Sequence, residues 1–377
     1  MATLPAVGPA RLAALDALGE PSTTWRSLTV AATDATAVDG LARRLSTTTG
    51  ASLGSHSPTE LVRRWAGAAA HVDVPGLWEA HRRAGVAVWR REVAPFPDEA
   101  FATESTPPAL LLALGDPGAL DGPRVAVVGT RSCTRYGLEV ATELAGSLAA
   151  AGVGVVSGLA AGIDAAAHRA VVAQDSAPAI AVVASGPDVI YPRTNAPLWR
   201  RVVADGLLLT EAPLGTRPEA WRFPQRNRII AALADVVVVV ESHRRGGAAI
   251  TARHAMDQGR SVFAVPGPVR SPASAGCHDL IADGVGVCQG PDDLLLALGM
   301  TPGVRRSRRD PRRRPAGDAA VVLAALGWSP ASLHHLVAAT GLAVGKVAAA
   351  LDELGRTGWV AERGGWFEQV AVSSSRE

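Results

Sequence analysis

Val125-Ala126-Val127-Val128-Gly129-Thr130-Arg131-Ser132-Cys133-Thr134-Arg135-Tyr136-Gly137 is the stretch that decides the fold. Val125–Gly129 is an apolar run bounded by turn residues, and Leu138–Ala151 follows with helical spacing. A buried strand that feeds a helix through a short polar loop is the opening of a βαβ unit. The same alternation continues downstream. Val153–Ser157, Ala179–Ala184, Leu207–Thr210, Val236–Glu241 and Ser261–Val265 read as strands. Ile163–Ala173, Arg226–Ala234, Ala248–Gln258 and Asp292–Leu298 read as helices. Apolar strands with no polar alternation are buried on both faces. The expected fold class is therefore α/β, a Rossmann-like, doubly wound parallel sheet.

Working outward, four regions are expected. Residues 1–116 form a small helical N-terminal region, with helices over Pro9–Leu18, Val38–Leu45, Pro58–Ala70 and Pro75–Ala84 and an irregular, proline-rich exit. Residues 117–299 form the Rossmann-like domain. Residues 300–316 form an Arg-rich linker, whose run from Arg305 to Pro315 is too charged and proline-broken to pack. Residues 317–377 read as three helices followed by a hairpin around Gly364-Gly365, which is a winged-helix pattern. The third of those helices carries Lys346 and Arg356 against Asp352 and Glu353, so contact with a protein partner is placed ahead of duplex reading.

Composition narrows the function classes. The chain has 377 residues, 48% hydrophobic and 19% charged, which is a foldable globular composition. Mean hydropathy is +0.17, yet no apolar run approaches the roughly 20 residues of a membrane span. No basic segment followed by an apolar stretch opens the sequence, so a cytoplasmic location without membrane contact is expected. Cys133, Cys277 and Cys288 form neither a CxxC nor a zinc spacing, and no metal or cofactor is expected. Lys346 is the sole lysine, so nearly all cations are arginine, whose planar fork of donors suits phosphate.

Several loops could carry chemistry. In an open parallel sheet, ligands bind at the carboxyl ends of the strands, and helix N-termini favour anions. Gly129, Thr130 and Arg131 sit at one such end: an anion site, or an ordinary strand-to-helix loop with surface arginines. Gly158 and Gly162 flank the next loop, where Asp164 and His168 lie on one helix face. That pair could be an acid–base couple or half of a metal site; the reading preferred is Asp164 orienting the loop. Trp221-Arg222-Phe223-Pro224-Gln225-Arg226-Asn227-Arg228 combines rings with arginines, which is how unpaired bases and their phosphates are gripped together. Phe223 is expected to stack, Trp221 to lie in the core, and Arg131 and Arg226 to contact phosphates. Gly246-Gly247-Ala248 opens another helix after Arg244-Arg245. The templates GxxxxGK[ST] and GxSxG are missing, and Gly152-Val153-Gly154 precedes its strand, so it is no dinucleotide fingerprint.

At Val125–Gly137, Ser157–His168, Asp188–Asn195, Phe223–Asp235 and Ile250–Gly267 the chain resembles the DNA-processing protein A family (DprA, also called Smf). These stretches occur in family order and spacing across the α/β region; the helical N-terminal region (SAM/HhH-like) and the winged-helix tail also fit its longer members. The resemblance implies a dimeric, non-enzymatic mediator that binds and protects single-stranded DNA and loads RecA during natural transformation or recombination. By position it implies DNA contacts at Gly129, Thr130, Arg131, Gly158, Gly162, Arg222, Phe223, Arg226, Asn227, Arg228 and Gly247. Gly129-Thr130-Arg131 stands where the family usually has GSR, and Gly246-Gly247-Ala248 where it has SGS. Groove lysines are replaced by nearby Arg193, Arg217 and Arg222. The rival readings are a nucleotide-binding or nucleoside-monophosphate-cleaving Rossmann-like enzyme using Glu211 or Asp164, and a protein-interaction platform.

Overall fold

The computed structural model describes residues 28, 31–48, 57–174, 176–301, 312, 314–327 and 330–370. The expected helix at Pro9–Leu18 and most of the expected Arg-rich linker lie outside the described residues. The chain divides into two compact units, residues 1–302 and 303–377.

In the first unit, α1 (Ala35–Thr48) and α2 (Pro58–Ala69) pack together. Val38, Leu41, Ala42 and Leu45 recur at helical spacing and meet Leu61, Val62 and Trp65. Ser57 caps α2, accepting a hydrogen bond from the Glu60 amide, and Pro58 sits where its missing N–H costs nothing. Helix α3 (Val74–Arg83) then leads into β1 (Ala87–Arg90) and β2 (Leu110–Gly115).

The α/β region follows as β3 (Arg124–Val128), α4 (Arg135–Ala150), β4 (Gly154–Ser157), α5 (Ile163–Val172), β5 (Ala179–Val182), α6 (Ala196–Asp205) and β6 (Leu207–Thr210). It continues with α7 (Arg222–Leu233), β7 (Val236–Val239), α8 (Gly247–Asp257), β8 (Ser261–Ala264), α9 (Ala275–Ala282), β9 (Gly286–Val287) and α10 (Pro291–Ala297). These strands form one nine-stranded sheet, ordered β1-β2-β6-β5-β4-β3-β7-β8-β9. It is parallel from β6 through β9, whereas β1–β2 and β2–β6 are antiparallel. The doubly wound fold class holds, and alternation within each strand explains it. Val125, Val127, Val155, Val236 and Val238 face α4, α5 and α10, while Ala126, Val128, Val156, Val237 and Val239 face α7, α8 and α9. Each of these central strands is a two-sided core element.

The sheet extends further toward the N-terminus than the sequence suggests. Residues 87–90 and 110–115 precede residue 117, yet they add two antiparallel edge strands. Leu110–Gly115 is leucine and alanine up to its final glycine, without the β-branched residues that mark a strand. Helix α7 also starts four residues earlier than Arg226, so Phe223 lies in its first turn rather than in the loop before it.

The second unit holds α11 (Gly317–Leu326), β10 (Ala331–Ser332), α12 (Leu333–Thr340), α13 (Val344–Arg356), β11 (Val360–Arg363) and β12 (Trp366–Gln369). Its three strands are ordered β10-β12-β11 around a core of Val322, Leu336, Val347, Leu351 and Leu354. This is a winged helix. Arg312 stacks over Trp359 at 3.9 Å and donates to the Val370 carbonyl at 3.0 Å. Among the described residues no single helix is long and apolar enough to cross a membrane.

Gly115 joins the antiparallel edge to the parallel sheet. Its φ is +107°, and a Cβ there would overlap the Gly206 carbonyl. Gly115→Ala is expected to cost about 3 kcal/mol through strain and overpacking, seen as a lower urea midpoint at unchanged m-value.

Candidate functional site

Strand order reverses between β3 and β7, so this is where a doubly wound sheet opens its crevice. The N-terminus of α4 faces that crevice, and the sequence suggests an anion there. The protein supplies its own. Glu241, just beyond β7, is buried, and its carboxylate accepts from the Thr134 amide at 2.8 Å and the Thr134 hydroxyl at 2.6 Å. Gly137 leaves room for it, since a Cβ at that position would strike the carboxylate. Thr130 donates its amide to the Glu241 carbonyl at 2.8 Å. Gly129 lies against Ile163 and has no space for a side chain. The Thr130 N–H is therefore bonded within the protein, which leaves its hydroxyl for the expected DNA contact. Gly129 acts in packing.

The loop after β4 is built around a buried guanidinium. Arg226 donates to the Gly158 carbonyl at 2.8 Å, to the Val182 carbonyl and to Asn227 Oδ1 at 3.1 Å, with Asp164 at 3.9 Å. A Cβ at Gly158 would collide with that guanidinium, and the Gly158 amide donates to Asp164 Oδ2 at 3.1 Å. Gly162, at φ +80°, presses against the Thr130 and Arg131 backbone, tying the β3 and β4 loops together. Asn195 donates to the carbonyls of Leu159 at 3.0 Å and Ala160 at 3.3 Å, holding Leu159 at φ +52°. Burial pushes the Asp164 carboxyl up, opposed by the Arg226 charge, and pushes Arg226 down to about 10.

These contacts correct several expectations. Arg226, Asn227 and Arg228 are all buried. Asn227 donates to the Gly247 carbonyl at 3.1 Å, and Arg228 to Glu211 at 2.7 Å. In this conformation all three side chains are committed to bonds within the protein. Gly158 is likewise committed inward. Asp164 orients its loop, as preferred above, and His168 is fully buried, donating to the Ile180 carbonyl at 3.2 Å. Among the described residues no group of three or more His, Cys, Asp or Glu could hold a metal ion. Trp221 is not in the core: it is 38% exposed and donates to Glu219 at 2.7 Å, with half-buried Arg222 over its ring at 4.3 Å.

A small surface cluster remains at the carboxyl end of the sheet. Arg131 is exposed and lies 4.1 Å over the ring of half-buried Phe223. Tyr191, in the loop after β5, stands 5.6 Å from Phe223 between ring centroids. Gly247 is exposed at the start of α8, beside exposed Arg244 and Arg245. Thus the structure brings Arg131 and Phe223 together and leaves both reachable. Tyr191 went unassigned in the sequence, although an aromatic residue beside Arg193 after a strand end was the available signal.

A Rossmann-like sheet with an arginine–aromatic cluster at its strand ends, in a chain that also carries a winged helix, defines a narrow class of protein. A profile of the family described as DNA recombination-mediator protein A matches residues 89–299, more than half the chain, and the DprA winged helix domain matches residues 306–365. The chain belongs to the DNA recombination-mediator protein A (DprA/Smf) family. It is 49% identical over 195 residues to a DNA processing protein of Mycobacterium tuberculosis, covering 51% of this chain and 50% of that one, so it spans about half the length of this curated relative. Among solved structures it resembles DNA processing protein A of Streptococcus pneumoniae (TM-score 0.60, 29% identity, covering 77% of this chain and 98% of that one). It also resembles DNA processing protein A of Helicobacter pylori, described by its single-stranded DNA binding mode (TM-score 0.51, 28% identity, 56% and 95% covered).

Two tests separate interior from surface roles. Arg226→Ala strands Asp164 and is expected to cost about 3–5 kcal/mol, whereas Arg131→Ala should change the urea-derived stability by less than about 0.5 kcal/mol. Burial also pushes His168 down to about 4 from 6.5. The unfolded chain therefore takes up this proton first, and stability falls as pH drops from about 6.5 to about 4, by about 3 kcal/mol in all. His168→Gln should flatten that part of the stability–pH curve relative to wild type.

Proposed function

We propose that this chain is a non-enzymatic mediator that holds single-stranded DNA across the carboxyl end of its sheet and hands it to RecA. The observation that carries this reading is the exposed Arg131 guanidinium over the Phe223 ring. A cation beside an aromatic platform takes a phosphate and a base together without reading sequence, because every base has a π-face. The single-stranded DNA binding described for the Helicobacter pylori relative supports the same reading. Family membership supports a role in recombination or transformation, with action as a dimer in the cytoplasm and without a cofactor.

The enzymatic alternative is less well supported. A nucleotide phosphate bound in the Rossmann manner needs the N-terminus of α4, where the Glu241 carboxylate already lies. Glu211 and Asp164, the two carboxylates considered for acid–base work, are committed to Arg228 and to the Gly158 amide.

Filter binding with an unstructured oligonucleotide tests the proposal. Phe223→Ala is expected to weaken binding by about tenfold, the scale of one stacking contact, because it removes a ring of the aromatic pair. Arg131→Glu should weaken it at least as much and reduce the salt slope by about 0.7 for the lost phosphate contact. Wild-type affinity in both variants would refute this site. Duplex of equal length should bind more weakly, and nucleoside monophosphates should release no base. RecA loading onto the coated strand, with and without the residues after Leu298, checks the handover.

A further inference from the structure

We infer that Tyr191 is the open stacking ring of this site, the surface on which an unpaired base first lies. The inference rests on the proposed single-stranded DNA reading and names a contact within it. Phe223 is the ring that the sequence singles out, yet it is only half-buried surface with a guanidinium 4.1 Å over it. Its neighbour Tyr191 is 43% exposed, and the two rings are tilted by 52° with centroids 5.6 Å apart. That separation lies within the range of a packed aromatic pair and leaves no gap for a base between the rings. Phe223 thus packs against Tyr191, and Tyr191 is the more exposed ring of the pair.

An exposed tyrosine needs a reason to be held still, and this one is. Its loop is tied at both ends and in the middle. Ser185 donates its hydroxyl to the Val189 carbonyl at 2.7 Å, Asp188 accepts the Gly215 amide at 2.8 Å, and Asn195 is buried in the β4 loop. Ordering of a loop before binding removes an entropic cost from association. Tyr136 offers a contrast: its hydroxyl is bonded to the Pro266 carbonyl at 2.8 Å, which accounts for its position. Among the described residues the Tyr191 hydroxyl has no such partner, so its place is set by ring contact and loop geometry. Arg193 is exposed two residues later in the same loop, where a phosphate flanking the stacked base would fall.

The test is a ring-by-base comparison on the full chain. Affinity is measured for a short oligothymidylate and for the same backbone with abasic sites, using wild type, Tyr191→Leu, Tyr191→Phe, Tyr191→Trp and Phe223→Ala. Tyr191→Leu is expected to weaken oligothymidylate binding by about tenfold. Tyr191→Phe and Tyr191→Trp should keep wild-type affinity, because the ring and not the hydroxyl makes the contact. On the abasic backbone, wild type and Tyr191→Leu should bind alike, an equality that mere loop damage would not produce. Equal weakening on both ligands, or wild-type affinity of Tyr191→Leu for oligothymidylate while Phe223→Ala is impaired, would overturn the role of Tyr191 and leave the site standing. Failure of the wild-type protein to retain oligothymidylate would overturn the site and this inference together.

Discussion

The buried guanidinium of Arg226 is the interaction on which the rest of the site depends. It reaches from α7 to the carbonyls that end β4 and β5, and it faces the Asp164 carboxylate. A charge taken out of water persists only when hydrogen bonds and a counter-charge replace the lost hydration. Arg226 has both, and in satisfying itself it fixes the first turn of α7 over the sheet. Phe223 lies in that turn, one helical repeat before Arg226, so its height above the strand ends is set by an interior bond. Gly158 is small because the guanidinium lies where its side chain would be.

A second internal charge divides the carboxyl edge of the sheet. Glu241 fills the place at the α4 N-terminus where a Rossmann-type protein would hold a phosphate, and it pulls the Thr130–Thr134 loop into shape. The helix dipole is thereby matched from within. Arg131 projects from that loop with no carboxylate ion pair among the described residues and meets Phe223 instead. The two buried charges thus leave Arg131 beside the Phe223 and Tyr191 rings at the surface, the arrangement on which the proposed grip of an unpaired strand rests.

Much of this fold was legible in the sequence. Unbroken apolar runs such as Val236–Val239 carry their own evidence of burial on two faces, and the winged helix showed itself through its helices and the Gly364-Gly365 turn. What was not legible depended on direction. Arg226, Asn227 and Arg228 look like a phosphate grip because nothing local tells whether an arginine points outward; the carbonyls that receive Arg226 are 68 and 44 residues away in sequence. Trp221 was misplaced for the opposite reason, since its indole is tied to Glu219 at the surface. Strand β2 was hidden by leucine-rich composition, and Tyr191 because its partner ring is distant in sequence. Arg131 and Phe223 could be read only as candidates, and their meeting required the fold.

Photocrosslinking addresses the central claim most directly. An oligonucleotide bearing 5-iododeoxyuridine, irradiated on the full-length protein and mapped by mass spectrometry, reports which side chains lie against bases. Crosslinks at Tyr191 or Phe223 that disappear with added unlabelled single strand are the result expected here. Crosslinks confined to α1–α3 or to the winged helix, with none between Arg131 and Phe223, would contradict the account.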